Sequence, residues 1–167
     1  MHDTKKPGSP VVRRAVPADA AALTRLRVLM MADMGMLTEG SDPRWRDSAA
    51  EWFTRRLGGT GDFAAFVVDD PGHGVVSCAV GFCDDHAPGP ANPSGLSGYV
   101  LNMSTDPRFR RRGYARACLE ALLAWFSDET EARVVGLMAS EDGIALYRAL
   151  GFTEPRHAFL QLRQASG

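Results

Sequence analysis

The amino-acid sequence predicts an α+β domain with a mixed, largely antiparallel sheet flanked by helices. Two observations lead to this class. Two apolar segments joined by the turn residues "DPGHG" predict an antiparallel hairpin, and a later strand, helix and strand predict a βαβ unit with parallel strands. The chain has 167 residues, of which 45% are hydrophobic, enough for one domain with a sizeable core. We expect residues 1–10 to form a disordered tail and residues 11–167 to form a single domain.

The first half of the chain predicts one strand, two helices and the hairpin. "VVRRA" at residues 11–15 can form a short strand. An apolar stripe at helical spacing begins after Pro17 and Asp19 and ends before Gly35, which predicts the first helix. Residues 48–57 predict a second helix that is closed by two glycines. The hairpin strands are "FAAFVVDD" and "VVSCAVGFCDD".

The second half of the chain contains the βαβ unit. "GYVLNMST" predicts a strand, an apolar stripe from Gly113 to Phe126 predicts a helix, and "RVVGLMAS" predicts a buried strand. "DGIALYRAL" predicts a short helix with Gly151 as its left-handed cap. "HAFLQLR" alternates between polar and apolar residues and predicts a last strand. The predicted order of elements is therefore βααβββαβαβ.

Composition excludes several classes of function. Nineteen basic and twenty acidic residues give a net charge of −1, so no overall field attracts nucleic acid, and we expect no nucleic-acid partner. No segment has the roughly 20 apolar residues of a membrane helix, and the N-terminus lacks the apolar centre of a signal peptide. We therefore expect a cytoplasmic protein without a membrane partner. The three cysteines lack metal-ligand spacing, and no metal is expected.

The segment "DPRFRRRGYARACLEALLAWF" predicts an anion-binding turn. A strand that ends at Thr105, a turn with Pro107 and a helix that begins near Gly113 would bring free backbone N–H groups to the positive end of a helix dipole. Gly113 has no Cβ, so a phosphate can approach its backbone, and the neighbouring arginines can add charged contacts. The spacing alone also fits an ordinary strand-to-helix turn, a solvated arginine cluster or a nucleic-acid patch.

Other nucleotide and hydrolase motifs are excluded. Residues 59–64 fit G-x-G-x-x-A, but they follow a helix and precede a strand, which reverses the context of a dinucleotide site. The chain has no P-loop sequence and no G-x-S-x-G nucleophile elbow.

The sequence "NMSTDPRFRRRGYARACLEALL" resembles the acetyl-CoA-binding segment of the GNAT superfamily of N-acetyltransferases. Arg110, Gly113 and Ala115 occupy the fixed places of its signature [QR]-x-x-G-x-[GA]. "ALYRALGF", at residues 145–152, resembles the family's terminal motif at the expected distance downstream. The resemblance covers roughly residues 11–162, and it implies a GNAT-like sheet in which a bulge splays the two strands of the βαβ unit.

The resemblance also implies roles for individual residues. Backbone amides from Arg110 to Ala115 would hold the pyrophosphate of acetyl-CoA, while Met103 and Thr105 would pair with its pantetheine arm. The Met103 N–H would polarise the thioester carbonyl, and Tyr147 would protonate the departing thiolate. A tyrosine at an apolar helical position is otherwise most often a core residue. The residues assigned to acetyl-CoA are Met103, Thr105, Arg110, Arg111, Arg112, Gly113, Tyr114, Ala115, Ser140 and Tyr147.

One residue departs from the family's pattern. Many members carry an asparagine seven residues before the tyrosine, where it contacts the pantetheine arm, and here the residue is Ser140. The departure leaves the strength of that contact open.

By the same resemblance, we expect direct attack of a primary amine on acetyl-CoA in a ternary complex. The alternative is a non-catalytic module that binds acyl-CoA as a sensor or partner domain. Cys83 and Cys118 are poor candidates for an acyl carrier, because Cys118 lies in the apolar helix stripe and nothing obvious activates Cys83. The acceptor would enter between "ADMGMLTEGSD" and "CDDHAPGPANPSG", where Met34, Asp84 and His86 are candidate contacts. The carboxylates there would favour a cationic amine unless they only solvate loops. The assembly is left open, with a homodimer among the options.

Overall fold

The computed structural model describes residues 10–165, and within them it confirms the mixed α+β architecture. The predicted tail lies outside the described residues except for Pro10. Short 3₁₀ turns precede the first and third helices, at Pro17–Asp19 and Pro107–Phe109. The elements are β1 (Val12–Arg14), α1 (Ala20–Asp33), α2 (Trp45–Leu57), β2 (Phe63–Asp70), β3 (Gly74–Asp85), β4 (Leu96–Thr105), α3 (Tyr114–Glu129), β5 (Val134–Leu137) and α4 (Ile144–Ala149).

The strands form one sheet in the order β1-β2-β3-β4-β5. Neighbouring strands are antiparallel except for β4 and β5, which are parallel and are connected through α3. This arrangement confirms the predicted hairpin and the predicted βαβ unit. In the part of the chain that the structure describes, no helix is both long enough and apolar enough to cross a membrane.

Helices cover both faces of the sheet. One apolar cluster joins α3 to the sheet, and Leu119, Leu122, Trp125 and Phe126 are among its helical members. A second cluster joins α1 and α2 to the opposite face. Glycine allows α3 to lie close to the sheet, because a Cβ at Gly98 would lie 2.6 Å from Cε1 of Phe126 and one at Gly81 would lie 2.8 Å from its Cζ.

A β-bulge at Leu101 divides β4 into two parts. The register passes from Val80 opposite Asn102 to Gly81 opposite Val100, so Leu101 is an extra residue on β4. Val100 packs in the α3 cluster, whereas the Asn102 side chain faces Arg27 of α1. The bulge therefore changes which side chains face each helix layer.

The two strands of the βαβ unit stop pairing at the residue before the bulge. Pairing between β4 and β5 ends at Val100 and Leu137, but β4 continues to Thr105. The second half of β4 therefore has an open edge on the β5 side. This is the splayed strand pair that the resemblance implied.

The predicted last strand is wrong for the described residues. Residues 157–163 form no helix or strand, and Phe159, Leu160 and Leu162 are 76%, 87% and 84% exposed. A strand requires hydrogen bonds from a neighbouring edge, and none of the strands described pairs with this segment. The alternating pattern makes the segment suitable for a sheet but does not supply the partner.

Candidate active site

A groove of about 1120 Å³ begins at the open edge of β4. Its walls come from β4, the C-terminal half of α1, the start of α3 and the segment from β5 to α4. The predicted site residues that line it are Met34, Met103, Thr105, Arg110, Arg111, Gly113, Tyr114, Ala115, Ser140 and Tyr147. The structure therefore brings together most of the residues that the two motifs assign to acetyl-CoA.

The backbone of β4 directs hydrogen-bonding groups into this groove. Asp106 donates its N–H to the carbonyl of Val76 at 2.8 Å, which fixes the phase of the antiparallel ladder with β3. Residues in such a ladder alternate between facing the partner strand and facing away. Met103 and Thr105 consequently turn their N–H and C=O groups away from β3, toward the side that β5 has left. The Thr105 carbonyl accepts from Nε of Arg110 at 3.2 Å. By the phase of the ladder, the Met103 N–H is expected to face the groove, which Met103 lines.

Asp106 holds the turn that follows β4. Its carboxylate accepts from the backbone N–H of Arg108 at 3.0 Å and from Nε and Nη2 of the same residue at 3.0 and 2.8 Å. The Arg108 guanidinium holds the pKa of this carboxyl well below its usual range. Asp106 is thus an ionised, buried anchor for the arginine-rich turn.

The turn has an alternating backbone conformation. Arg111 has φ 65°, and Gly113 has φ 77° and caps α3. Arg112 lies between them with negative φ. Alternation of this kind points successive N–H groups toward one concave face, an arrangement that binds anions.

The first turn of α3 offers unused donors. The four backbone N–H groups from Gly113 to Arg116 find no acceptor among residues 10–165, and Gly113 provides no side-chain cap. The first N–H with a partner is that of Ala117, which donates to Gly113 at 3.1 Å. These donors lie at the positive end of the helix dipole, an arrangement whose electrostatics favour a negatively charged group.

The arginines of the turn have different partners. Arg110 donates to Thr105 and forms an ion pair with Asp33, which joins the end of α1 to the turn. Arg111 lines the groove and pairs with no residue in the described part of the chain. Arg112 does not line the groove. Its guanidinium donates to the Arg108 carbonyl at 3.4 Å and lies 5.0 Å from the Phe109 ring.

Tyr147 lies on α4 with its ring packed and its side chain at the groove. The residue is 8% exposed, its ring is 5.9 Å from that of Phe152, and burial raises the pKa of its hydroxyl. A Cβ at Gly143 would come within 2.9 Å of the ring, so glycine is required beside it. Tyr147 is both a core residue and a lining residue, so packing and a chemical role are compatible.

Ser140 stabilises the loop before α4. Its Oγ accepts from the Gly143 N–H at 3.3 Å, and its carbonyl accepts from Gly143 and Ile144 at 3.1 Å. Ser140 also lines the groove.

Two predicted acceptor contacts lie elsewhere. Asp84 and His86 pair with each other at 3.2 Å, are 60% and 57% exposed, and do not line the groove. Asp84 lies opposite Ser97, where the pairing of β4 with β5 begins, whereas the open edge of β4 follows Val100, where that pairing ends. The structure therefore does not join them to Met34 and the other site residues.

The charged lining residues that sequence reasoning did not assign include Arg27, Arg116 and Asp142. It also missed Met30 and Tyr99, which line the groove near Arg27. Arg27 and Met30 on α1 and Met34 at its C-cap recur at i, i+3 and i+7, so they share one helix face. The signal in the sequence was an arginine on the same stripe as apolar residues that point inward.

Solved structures share this fold. A predicted acetyltransferase from Clostridium acetobutylicum, solved with acetyl-CoA, is 22% identical in sequence and has a TM-score of 0.80. The match covers 93% of this chain and 96% of that protein's chain. A GCN5-related N-acetyltransferase from Ralstonia eutropha JMP134 is 23% identical and has a TM-score of 0.75, and the match covers 92% of this chain and 99% of that one. The aminoglycoside N-acetyltransferase AAC(6')-Iy in complex with CoA is 16% identical, with 97% and 99% coverage and a TM-score of 0.70.

Among curated proteins, no significant match was found. The family model for the acetyltransferase (GNAT) domain, however, matches residues 61–154. That range contains the hairpin, the bulged strand, the anion turn and the helix that bears Tyr147. With over half of the chain matched and the splayed strands in place, this protein belongs to the GNAT acetyltransferase family.

Proposed function

We propose that this protein transfers an acetyl group from acetyl-CoA to a primary amine. The observation that carries the proposal is one groove in which the open edge of β4 leads to the uncapped start of α3. An extended pantetheine arm needs backbone partners, and a pyrophosphate needs clustered donors and positive charge. This groove offers both in the order in which they occur along acetyl-CoA.

The solved structures support the choice of acyl donor. The protein from Clostridium acetobutylicum was solved with acetyl-CoA, and AAC(6')-Iy was solved with CoA. Arg110 and Arg111 line the groove near the free N–H groups of α3, so charge and hydrogen bonding favour the same anionic end.

Direct attack is the mechanism that we propose for the transfer. The amine lone pair attacks the acetyl carbon, the Met103 N–H donates to the carbonyl oxygen as it gains charge, and the carbon–sulfur bond then breaks. Tyr147 supplies the proton that the departing thiolate takes up, and the proton lost by the amine restores the phenol through solvent. The raised pKa of Tyr147 keeps its hydroxyl protonated at neutral pH.

The cysteines support transfer without an acyl-enzyme. Burial raises the pKa of both Cys78 and Cys118 to about 12, and burial also raises the pKa of Cys83. A thiol must ionise to act as a nucleophile. Of the described residues that line the groove, none is a cysteine.

Calorimetry and a thiol-release assay test the proposal together. We expect acetyl-CoA to bind to the purified protein and CoA thiol to appear only when an accepted amine is present. The amine panel should include amino acids, peptide N-termini, lysine peptides, polyamines and aminoglycosides. Tight acetyl-CoA binding without thiol release across the panel would instead support a non-catalytic acyl-CoA-binding module. Absence of acetyl-CoA binding would refute both functions.

A further inference from the structure

Arg27 is a half-buried cation without an anionic partner. It lies on α1 and lines the groove together with Met30 and Met34. Its one side-chain hydrogen bond among the described residues is a long contact of 3.5 Å from Nη1 to Oδ1 of Asn102. Burial lowers the pKa of the guanidinium, but an arginine keeps its charge in proteins.

Nearby arginines differ from Arg27 in this respect. Arg25, on the same helix, lies 3.4 Å from a carboxylate oxygen of Asp106 and donates to the Val75 carbonyl at 2.5 Å. Arg110 forms an ion pair with Asp33. Burying a guanidinium without a paired anion costs free energy, which an anionic ligand in the groove would recover.

The position of Arg27 separates it from the phosphate end of the groove. Asp33 marks that end through its ion pair with Arg110, and six residues of helix place Arg27 about 9 Å away along α1. Arg27 contacts Asn102, which immediately precedes Met103 on β4. Arg27 therefore lies beside the proposed site of acetyl transfer, where an acceptor must enter.

The charge of the lining agrees with an anionic group on the acceptor. The acidic residues that line the groove are Asp33, which Arg110 neutralises, and Asp142, which lies just before α4. Near Arg27 the wall is formed by Met30, Met34 and Tyr99. The acidic pocket that would favour a cationic amine is thus not assembled on this side.

We propose that Arg27 binds a carboxylate of the acceptor, and that the acceptor is a small amino acid-like amine. The inference rests on the proposed function, because it names the acceptor of that same site. A planar guanidinium matches a carboxylate through paired hydrogen bonds. Because Arg27 contacts the residue that precedes Met103, we expect an amine and a carboxylate that are separated by few bonds.

Matched acceptors provide the test. Free α-amino acids and their carboxamides differ mainly in the charged group, so the ratio of their kcat/KM values isolates its recognition. For the unmodified protein we expect a preference for the carboxylate of roughly ten- to hundredfold, the range of one charge-assisted hydrogen bond. Assays must be run at a pH at which both amines are equally deprotonated, or be corrected for the difference.

Variants assign the preference to Arg27. In Arg27→Gln the ratio should fall close to one while the Kd for acetyl-CoA stays within about twofold, and Arg27→Lys should keep part of the preference. Arg55→Gln removes an exposed arginine from α2 and should leave the ratio unchanged. If Arg27→Gln does not fold, the wild-type ratio and Arg27→Lys still decide the question.

Two results would overturn the inference while acetyl transfer itself stands. The first is equal kcat/KM for carboxylates and carboxamides in the unmodified protein. The second is an unchanged ratio in Arg27→Gln; if both acceptors lose activity equally there, Arg27 would be assigned to the thioester rather than to the acceptor. Absence of transfer to every amine would instead refute the proposed function, and the inference would fall with it.

Discussion

Replacing Gly113 with alanine tests the anion turn with a defined structural cost. Gly113 has φ 77°, and an added Cβ would meet no atom within 4 Å. The substitution therefore creates no clash inside the protein. Its cost comes from holding an L-residue in the left-handed region, which is about 1–2 kcal/mol.

This strain should weaken acetyl-CoA binding as well as stability. If the turn relaxes away from positive φ, the N–H groups that begin α3 lose their common direction. Losing one charge-assisted hydrogen bond, worth about 1.5–3 kcal/mol, lowers affinity by roughly 10- to 150-fold. Gly74→Ala is the matched control, because Gly74 has φ 69° at the first residue of β3 and also has open space around a new Cβ.

Thermal unfolding and calorimetry should be measured on both variants. We expect a similar loss of stability in the two proteins and a large rise in the acetyl-CoA Kd only in Gly113→Ala. The reasoning is wrong if Gly113→Ala shows the loss of stability but keeps its Kd within twofold of the unmodified protein. It is also wrong if Gly74→Ala weakens binding to the same extent.

Three further predictions test separate parts of the structure. Tyr147→Phe keeps the buried ring, so stability should hold while single-turnover chemistry slows by about 100-fold or more; a loss of a few-fold would assign the proton to water. Arg108 depresses the pKa of Asp106, so the carboxylate stabilises the fold above the unfolded-state pKa of about 3.9, and this stability disappears as pH falls through the lower folded pKa. Asp106→Asn should accordingly lower the Tm at pH 7 and flatten its decline in acid, as thermal scans from pH 7 downward will show. Gly98→Ala should cost about 1–3 kcal/mol by crowding Phe126, and Phe126→Leu should recover part of that loss in denaturant titrations; additive losses would contradict the contact.

Local chemistry explains why the βαβ region was predictable. The predicted strand at residues 98–105 is observed as Leu96–Thr105, and the helix predicted from Gly113 is observed as Tyr114–Glu129 with Gly113 as its cap. Strand alternation, a proline turn, a positive-φ glycine and a helical apolar stripe are all short-range signals. They also predicted a turn with free backbone N–H groups at the start of α3, and the structure has such a turn there.

The residues on the acceptor side of the groove could not be predicted in the same way, because long-range packing decides which of them come together. Asp84 and His86 are close to Met34 only if the loop after β3 folds over the groove, and in the structure they pair with each other instead. Arg27 was passed over because its helix stripe was interpreted as apolar core. Its importance appears only when Asn102 from a distant strand is placed beside it.

The bulge at Leu101 links the two halves of the proposed site. Side chains on a strand alternate with a period of two, so Val100 and Asn102 would share one face of a regular strand. The extra residue instead leaves Val100 with α3 and turns Asn102 toward Arg27, just where pairing with β5 ends. One local irregularity thus opens the edge proposed to bind the pantetheine arm and brings the neighbouring side chain to the helix that bears the proposed carboxylate site. The relative position of donor and acceptor therefore depends on a feature of backbone register rather than on any single side chain.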